Sequence, residues 1–259
     1  MNKKNTTVWG ARFKQKTSNL FQNSGASIDI DKRLYNEDIK ASIIHVKMLS
    51  KQKIISIKNA KNIIEGLKKI HKEIKNNKFK FQKKYEDIHL NIEKRLFTII
   101  GQDAGYLHIA RSRNDQIATD VRLYFKNRIS IVITELSDLL SEIIKVSEKN
   151  ITVIMPGYTH LQKGQPVLLS QYLMGYFSML SRDLDRFYNC YENLDVLPLG
   201  SGAFAGVSIP IDRDYLAKEL GFSKISSNSI DSVSSRDHIL DVLYSSSTLM
   251  INLSRISEE

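Results

Sequence analysis

Apolar side chains along much of this chain recur at steps of three and four residues, which is the spacing of one face of a helix. Between Asn114 and Asn150 they form one unbroken stripe, which consists of Ile117, Val121, Phe125, Ile129, Val132, Leu136, Leu139, Ile143 and Val146. The stripe predicts a single helix roughly 50 Å long. A helix of that length favours a bundle of long helices over a small compact domain.

The same spacing predicts two further long helices. One should begin at Pro166, because proline suits the first turn of a helix, and its stripe continues to Leu194. Another should begin near Ser235 and carries apolar residues as far as Ile256. Three such rods pack side by side and leave apolar surface for a partner subunit.

The upstream part of the chain is also predicted to be helical, with shorter helices at about Asn36–Ser50 and Ile57–Lys75. No proline precedes Pro156, and no segment has the alternation of a sheet. We therefore predict an all-α protein, with a small helical domain over residues 1–110 and long antiparallel helices of a bundle over residues 111–259.

Composition fits a folded protein in a reducing compartment. The chain has 259 residues, of which 42% are hydrophobic and 25% charged. Its single cysteine, Cys190, excludes an internal disulfide. No stretch approaches the ~20 apolar residues that cross a bilayer, and no apolar run follows the basic N-terminus. We expect a cytoplasmic protein without a membrane partner.

The net charge of +10 raises the question of nucleic-acid binding. Lysines are concentrated between Lys51 and Lys84, where they alternate with isoleucines as on the wet face of amphipathic helices. A nucleic-acid site would need interleaved aromatic residues or a known module. We interpret the lysines as a solvated face and expect no nucleic-acid partner; steeply salt-dependent DNA binding would revive the alternative.

The segment "ARSRNDQ", residues 110–116, begins the longest predicted helix. Ser112 or Asn114 would cap it, and Asp115 would complement its dipole. Capping alone does not explain Arg111 and Arg113 at the positive end of a helix. A bound anion would reverse that charge penalty, so capping and anion binding both remain open.

The segment "MPGYTHLQKGQPV", residues 155–167, places two of the four prolines around Thr159 and His160. It is either a turn with a satisfied histidine or a loop that presents an acid or base near neutral pH. The sequence contains no glycine-rich phosphate loop, zinc spacing or nucleophile elbow. We expect neither a cofactor nor a metal.

Together with six other segments, these two resemble the argininosuccinate lyases of the fumarase and aspartase superfamily. The other segments are "WGARF" (9–13), "ASIDIDKRLYNEDI" (26–39), "YEDIHLNIEKRL" (85–96), "LPLGSGAFAGVSIPIDR" (197–213), "NSIDSVSSRDHILDVL" (228–243) and "NLSRISEE" (252–259). Their order and spacing carry the resemblance, and "RSRNDQ" with "GYTHLQ" distinguishes this branch. The sequence departs from the usual pattern at Ile109-Ala110, Lys163-Gly164 and His238.

The resemblance implies a cofactor-free, reversible β-elimination that splits argininosuccinate into arginine and fumarate in arginine biosynthesis. It makes His160 the acid/base histidine and places Asp87 near the arginine end of the substrate, with His89 a less certain neighbour. The substrate-binding residues that it implies are Ser27, Asp87, Arg113, Asn114 and Thr159.

The resemblance also implies a homotetramer whose active sites each draw segments from three subunits. It places substrate-binding segments in the domain over residues 1–110 and leaves the bundle over residues 111–259 incomplete at its C-terminal end. It assigns the catalytic base to a serine loop expected beyond Glu259, so we expect the 259 residues alone to aggregate or to fail in turnover. The alternative is a catalytically incompetent fragment, or a structural homologue like the lens crystallins that share this fold.

Overall fold

The computed structural model describes Ser18 and residues 24–258, and it is mainly helical as predicted. The α-helices are α1 Ile28–Asp31, α2 Tyr35–Lys51, α3 Ile57–Lys75, α4 Ile88–Ile100, α5 Arg113–Lys149, α6 Leu169–Leu194, α7 Arg213–Leu220, α8 Ser229–Ser234 and α9 Asp237–Glu258. Short 3₁₀ helices occupy Lys32–Leu34, Lys83–Tyr85 and Gly101–His108. The "WGARF" motif lies outside the described residues.

Local sequence explains several helix ends. Ser56 caps α3 by accepting a hydrogen bond from the Asn59 amide at 3.1 Å. Asp212 caps α7 in the same way, at 2.8 Å from the Tyr215 amide. Gly221 ends α7 with a φ of +82°, a conformation that glycine adopts without a side-chain clash.

The expectation that the chain contains no sheet was wrong at residues 154–168. Strands β1 (Ile154–Thr159) and β2 (Gln162–Leu168) form an antiparallel hairpin in which Pro156 lies opposite Pro166. A two-stranded hairpin has two free edges, where residues without an N–H group are tolerated. Because Pro166 lies within β2, helix α6 begins at Leu169 and not at the predicted proline. A second two-stranded sheet pairs β3 (Val196–Leu197) with β4 (Lys224–Ile225), and each of these strands is only two residues long.

The chain divides into two compact units. The first contains the described residues through Tyr124 together with Leu197–Ser234, and the second contains Phe125–Val196 and the residues from Ser235 onward. The first unit incorporates the connection before α9, because Leu197, Leu199, Leu216 and Leu220 are buried in its core. These units are defined by which residues pack together, and they do not test a division of the chain into domains at 110/111. The predicted domain division stays a prediction.

Each unit has its own hydrophobic core. In the first, helices α2, α3 and α4 bury residues such as Met48, Leu49, Ile63, Leu67, Ile70 and Leu96. In the second, α5, α6 and α9 contribute Ile129, Leu136, Leu180, Phe187, Leu194 and Val242. Among the helices between residues 24 and 258, none combines the length and apolar character needed to cross a bilayer.

Candidate functional site

Two carboxylates cap the N-terminus of α4. Asp87 accepts a hydrogen bond from the Leu90 amide at 2.6 Å, and Asp31 accepts one from the Ile88 amide at 3.1 Å. Free amides at a helix start favour negative charge, so this end of α4 holds both side chains. Asp87, predicted to contact substrate, is therefore fixed by secondary structure, with its side chain 21% exposed.

The main chain holds Ser27 beside this helix start. The amides of Ser27 and Ile28 both donate to the Glu86 carbonyl at 3.0 Å. The Ser27 hydroxyl donates to Asp31 Oδ2 at 2.5 Å. Glu86 has a φ of +61°, a strained value for a non-glycine residue, which aims its carbonyl at the Ser27 segment. Ser27 and Asp87 are thus brought to one side of the first unit.

Arg113, the first residue of α5, lies among acidic and amide groups. Its Nε lies 3.4 Å from Asp87 Oδ2, and its Nη1 lies 3.1 Å from Glu93 Oε1. Nη1 also donates to Gln116 Oε1 at 2.6 Å. No group between residues 24 and 258 accepts a hydrogen bond from Nη2, and the side chain is 26% exposed. Arg113 is therefore fixed in place with one nitrogen available to an anion.

Electrostatics keep Glu93, a partner of Arg113, ionised. Burial alone would raise the pKa of Glu93, but a hydrogen bond from His108 and the charges of Arg113 and Arg111 lower it to about 2. Burial opposes the charge on Arg113, while Glu93 and Asp87 raise its pKa above the ordinary value. The arginine remains positive across the physiological range.

Asp115 and Asn114 connect the start of α5 to the glycine-rich segment after β3. Asp115 Oδ2 accepts hydrogen bonds from the amides of Gly200 at 3.0 Å and Gly202 at 2.9 Å. Asn114 donates through Nδ2 to the Ala203 carbonyl at 2.8 Å and is otherwise exposed. Glycine is required at 202, since φ is +63° and a Cβ would lie 2.6 Å from the Gly206 carbonyl oxygen.

Arg111 turns inward and is not a second surface cation. It is 7% exposed, and its Nη1 donates to Ser42 Oγ at 2.9 Å. Nearby, burial and the Arg111 charge lower the pKa of His45 to about 3, although the ring nitrogen Nε2 donates to the Ile109 carbonyl at 2.8 Å. Of the two arginines in "ARSRNDQ", only Arg113 reaches solvent.

A buried network underlies Arg113. Asp38 accepts hydrogen bonds from His89 Nδ1 at 2.9 Å and from Gln116 Nε2 at 2.5 Å. Burial would raise the pKa of Asp38, but His89, Arg111 and Gln116 reverse the effect and hold it below its ordinary value. Burial and the neighbouring Asp38 raise the pKa of Asp120 well above the usual range.

Asp38, His89 and Asp120 each offer one ligand atom, and these atoms lie within 4.8 Å of one another. Arg111 already acts electrostatically on both carboxylates, which disfavours a second cation there. The arrangement instead suits one ionised and one protonated carboxyl beside a histidine. His89 is 1% exposed, so it does not face solvent and contributes to the site only through its buried contact with Asp38.

Thr159 and His160 lie at the tip of the β1–β2 hairpin. Thr159 pairs with Gln162, which leaves His160 and Leu161 as a two-residue turn. Their φ values of +51° and +61° are those of the turn type usually built from Asn-Gly. Thr159 and His160 are exposed, and Leu161 is 93% exposed. Two strained, exposed positions in succession favour a functional role over a structural one.

The first unit brings together four of the predicted site residues, Ser27, Asp87, Arg113 and Asn114. Thr159 and His160 belong to the second unit, and their assembly with the others into one site stays a prediction. Sequence reasoning missed four supporting residues, Asp38, Glu93, Gln116 and Asp120. The sequence held a signal for two of them. Gln116 and Asp120 follow Arg113 at steps of three and four residues, which places all three on one helix face.

Known proteins match this chain over nearly its whole length. Residues 11–259 match the model of a protein family described as Lyase. The chain is 52% identical over 258 residues to the argininosuccinate lyase of Pelagibacter ubique, and this match covers the whole chain and 56% of that protein. The argininosuccinate lyase of Geobacter metallireducens is 48% identical over 252 residues, covering 97% of the chain and 55% of that protein. The chain spans about half the length of these curated relatives, and the resemblance drawn from its motifs is confirmed.

Solved structures share the fold. A structure described as EDDS lyase in complex with formate superimposes with a TM-score of 0.81 at 26% identity, covering 94% of this chain and 49% of that one. A class II fumarase from Schistosoma mansoni has a TM-score of 0.75 at 17% identity, covering 93% and 58%, and supports the fold alone. The all-α fold predicted from periodicity is confirmed, and so is the superfamily helical bundle that the motif resemblance implied.

Proposed function

The chain belongs to the Lyase family, and on that premise we propose that it forms part of an argininosuccinate lyase active site. The reaction would be the reversible β-elimination of argininosuccinate to arginine and fumarate. The single observation that carries the proposal is the 52% identity, over 258 residues, to a protein named for this activity. A cofactor is not part of the proposed chemistry.

The geometry of Arg113 supports the binding of a carboxylate substrate. Its guanidinium is oriented by Asp87, Glu93 and Gln116, and its Nη2 remains for a ligand. A fixed guanidinium binds a carboxylate at less conformational cost than a mobile one. The exposed Ser27 and Asn114 would supply further polar contacts on the same unit.

His160 is the proposed acid/base group, and Thr159 a proposed substrate contact. Elimination requires removal of a proton beside a carboxylate and assistance to the departing guanidinium nitrogen. A positioned acid or base contributes a factor of about 10² to 10⁴ in rate. The exposed hairpin tip supports this role, because it presents the imidazole to solvent on a two-residue turn.

A cytoplasmic homotetramer with active sites shared among subunits is the proposed assembly. Support comes from α9, which leaves large apolar side chains at the surface, namely Leu240, Leu243, Tyr244, Met250 and Ile251. Exposed apolar side chains on one element are typical of a surface that another chain covers. On this proposal, the catalytic unit is the assembly.

The proposal is tested by ligand-dependent thermal stabilisation of the chain with fumarate and with argininosuccinate. A ligand at about one hundred times its Kd stabilises the folded state by about 2.7 kcal/mol. Arg113→Lys keeps the charge but loses the planar fork, so it should reduce the stabilisation. The exposed Arg255→Lys is the matched control and should retain it.

Turnover is followed separately, by the ultraviolet absorbance of fumarate released from argininosuccinate. If a ligand stabilises the wild-type chain and Arg113→Lys reduces that stabilisation, the result supports the proposed binding site, whether or not this chain converts argininosuccinate to fumarate. If neither compound stabilises the wild-type chain and no fumarate appears, the structural-homologue alternative is favoured.

A further inference from the structure

A cavity of about 400 Å³ lies in the first unit, beside the C-terminal end of α3, the segment 78–85 and helix α4. The α4 residues that line it are Asn91, Lys94, Arg95 and Thr98. Helical spacing places them on the side opposite His89 and Glu93. The cavity is therefore separate from the candidate site, although both use α4.

Uncompensated positive charge surrounds this cavity. Arg95 is neutralised by Glu73, with hydrogen bonds of 2.8 Å from Nε and 2.7 Å from Nη2. The three lysines on the lining, Lys78, Lys80 and Lys94, have no carboxylate within ion-pair distance in the described part of the chain. Three exposed lysines without a carboxylate partner among the described residues thus line one concave surface.

The segment that carries two of these lysines is held in place. The buried Asn91 side chain accepts from the Gln82 amide at 2.8 Å and donates to the Gln82 carbonyl at 3.2 Å. The rings of Phe79 and Phe81 contact each other, with centroids 4.9 Å apart, and both pack against the core of the unit. The cavity wall is therefore formed before any ligand arrives.

We propose that this cavity is a binding site for a small anion that carries two or more phosphate or carboxylate groups. A concave wall of low dielectric strengthens the field of like charges and concentrates counter-ions. The volume is that of a small-molecule site. Gln82 and Thr98 line the same space and offer polar groups to the ligand. The exposed α3 lysines Lys58, Lys61 and Lys68, by contrast, do not line the cavity.

The test uses the full chain and two probes, inorganic pyrophosphate and citrate, which distinguish phosphate from carboxylate recognition. Binding is measured by titration calorimetry at low and at moderate salt. The variant Lys78→Ala/Lys80→Ala/Lys94→Ala removes the three cavity lysines. The control Lys58→Ala/Lys61→Ala/Lys68→Ala removes three exposed lysines from α3 and lowers the net charge equally.

We expect saturable binding of at least one probe and a loss of at least about tenfold in affinity for the cavity variant. The control variant should bind within about twofold of wild type. Thermal melting of both variants should match wild type, because all six lysines are exposed and none is in a core. Absence of saturable binding of both probes, or equal losses in the two variants, overturns the proposal.

Discussion

Arg113 is oriented by Gln116, whose side-chain carbonyl accepts a hydrogen bond from Nη1 at 2.6 Å. The amide nitrogen of the same Gln116 donates to Asp38 at 2.5 Å. An ionised carboxylate only accepts hydrogen bonds, so Asp38 determines which end of the Gln116 amide faces the arginine. The lowered pKa of Asp38 keeps that carboxylate ionised. A buried acid therefore sets the orientation of a cation at the surface of the candidate site.

Replacing Gln116 by leucine should remove both hydrogen bonds and leave Asp38 without an amide donor. We expect the free energy of unfolding to fall by about 3 kcal/mol, since bonds to charged groups contribute about 1.5–3 kcal/mol each. Urea denaturation measures the change. Gln102→Leu, at an exposed position, is the control and should change stability little. Equal losses in the two variants would contradict the assigned role of Gln116.

The neutral, buried His45 should make the protein less stable as the pH falls. The unfolded chain binds this proton below about pH 6.5, whereas the folded chain binds it only near pH 3. In that window the unfolded state holds more protons, so this group lowers stability by about 1.4 kcal/mol per pH unit. His45→Gln retains a donor for the Ile109 carbonyl. In urea titrations, its free energy of unfolding should fall less steeply than that of the wild type between roughly pH 6 and pH 4. Identical slopes in the two proteins would refute the explanation.

Relief of backbone strain at the hairpin tip should stabilise the protein. Leu161 has a φ of +61°, and a left-handed conformation costs an L-residue roughly 1–2 kcal/mol. Leu161→Gly should therefore raise the free energy of unfolding by about 1 kcal/mol. Lys163→Gly, in β2 opposite Tyr158, is the control and should lower it. A loss of stability in Leu161→Gly would show that the leucine side chain makes a contribution that outweighs the strain.

Asp115 should be essential for the order of the glycine-rich segment. An asparagine at this position presents an N–H₂ group where one carboxylate oxygen now accepts amide hydrogen bonds. Asp115→Asn should lower the free energy of unfolding by about 2 kcal/mol and accelerate hydrogen exchange at the Gly200 and Gly202 amides. Asp138→Asn, exposed on the same helix, should do neither. Unchanged exchange at both glycines would contradict the prediction.

The long helices could be predicted because their signal is local and repeated. The stripe from Ile117 to Val146 specifies one face over many turns, and α5 follows it within a residue at each end of the predicted span. The β1–β2 hairpin gave no such signal. Its strands are short, mostly exposed and interrupted by prolines, so no apolar alternation marks them.

The candidate site was only partly accessible to sequence reasoning. Loop motifs identified Arg113 and His160, because polar residues at a helix start or in a proline-bounded turn are unusual. Asp38 and Asp120 lie within helices and look like ordinary acidic residues of amphipathic faces. Their burial follows from packing between helices far apart along the chain, which one-dimensional spacing does not contain.

The tether between the Glu86 carbonyl and the amides of Ser27 and Ile28 consists of main-chain atoms alone. Side-chain replacement at 86 would therefore leave the serine in position, whereas a proline at 28 would remove one of the donors. The position of Ser27 thus depends on the conformation of the main chain. Its attachment should tolerate a change of side chain at 86 and should be lost only when the path of the backbone changes.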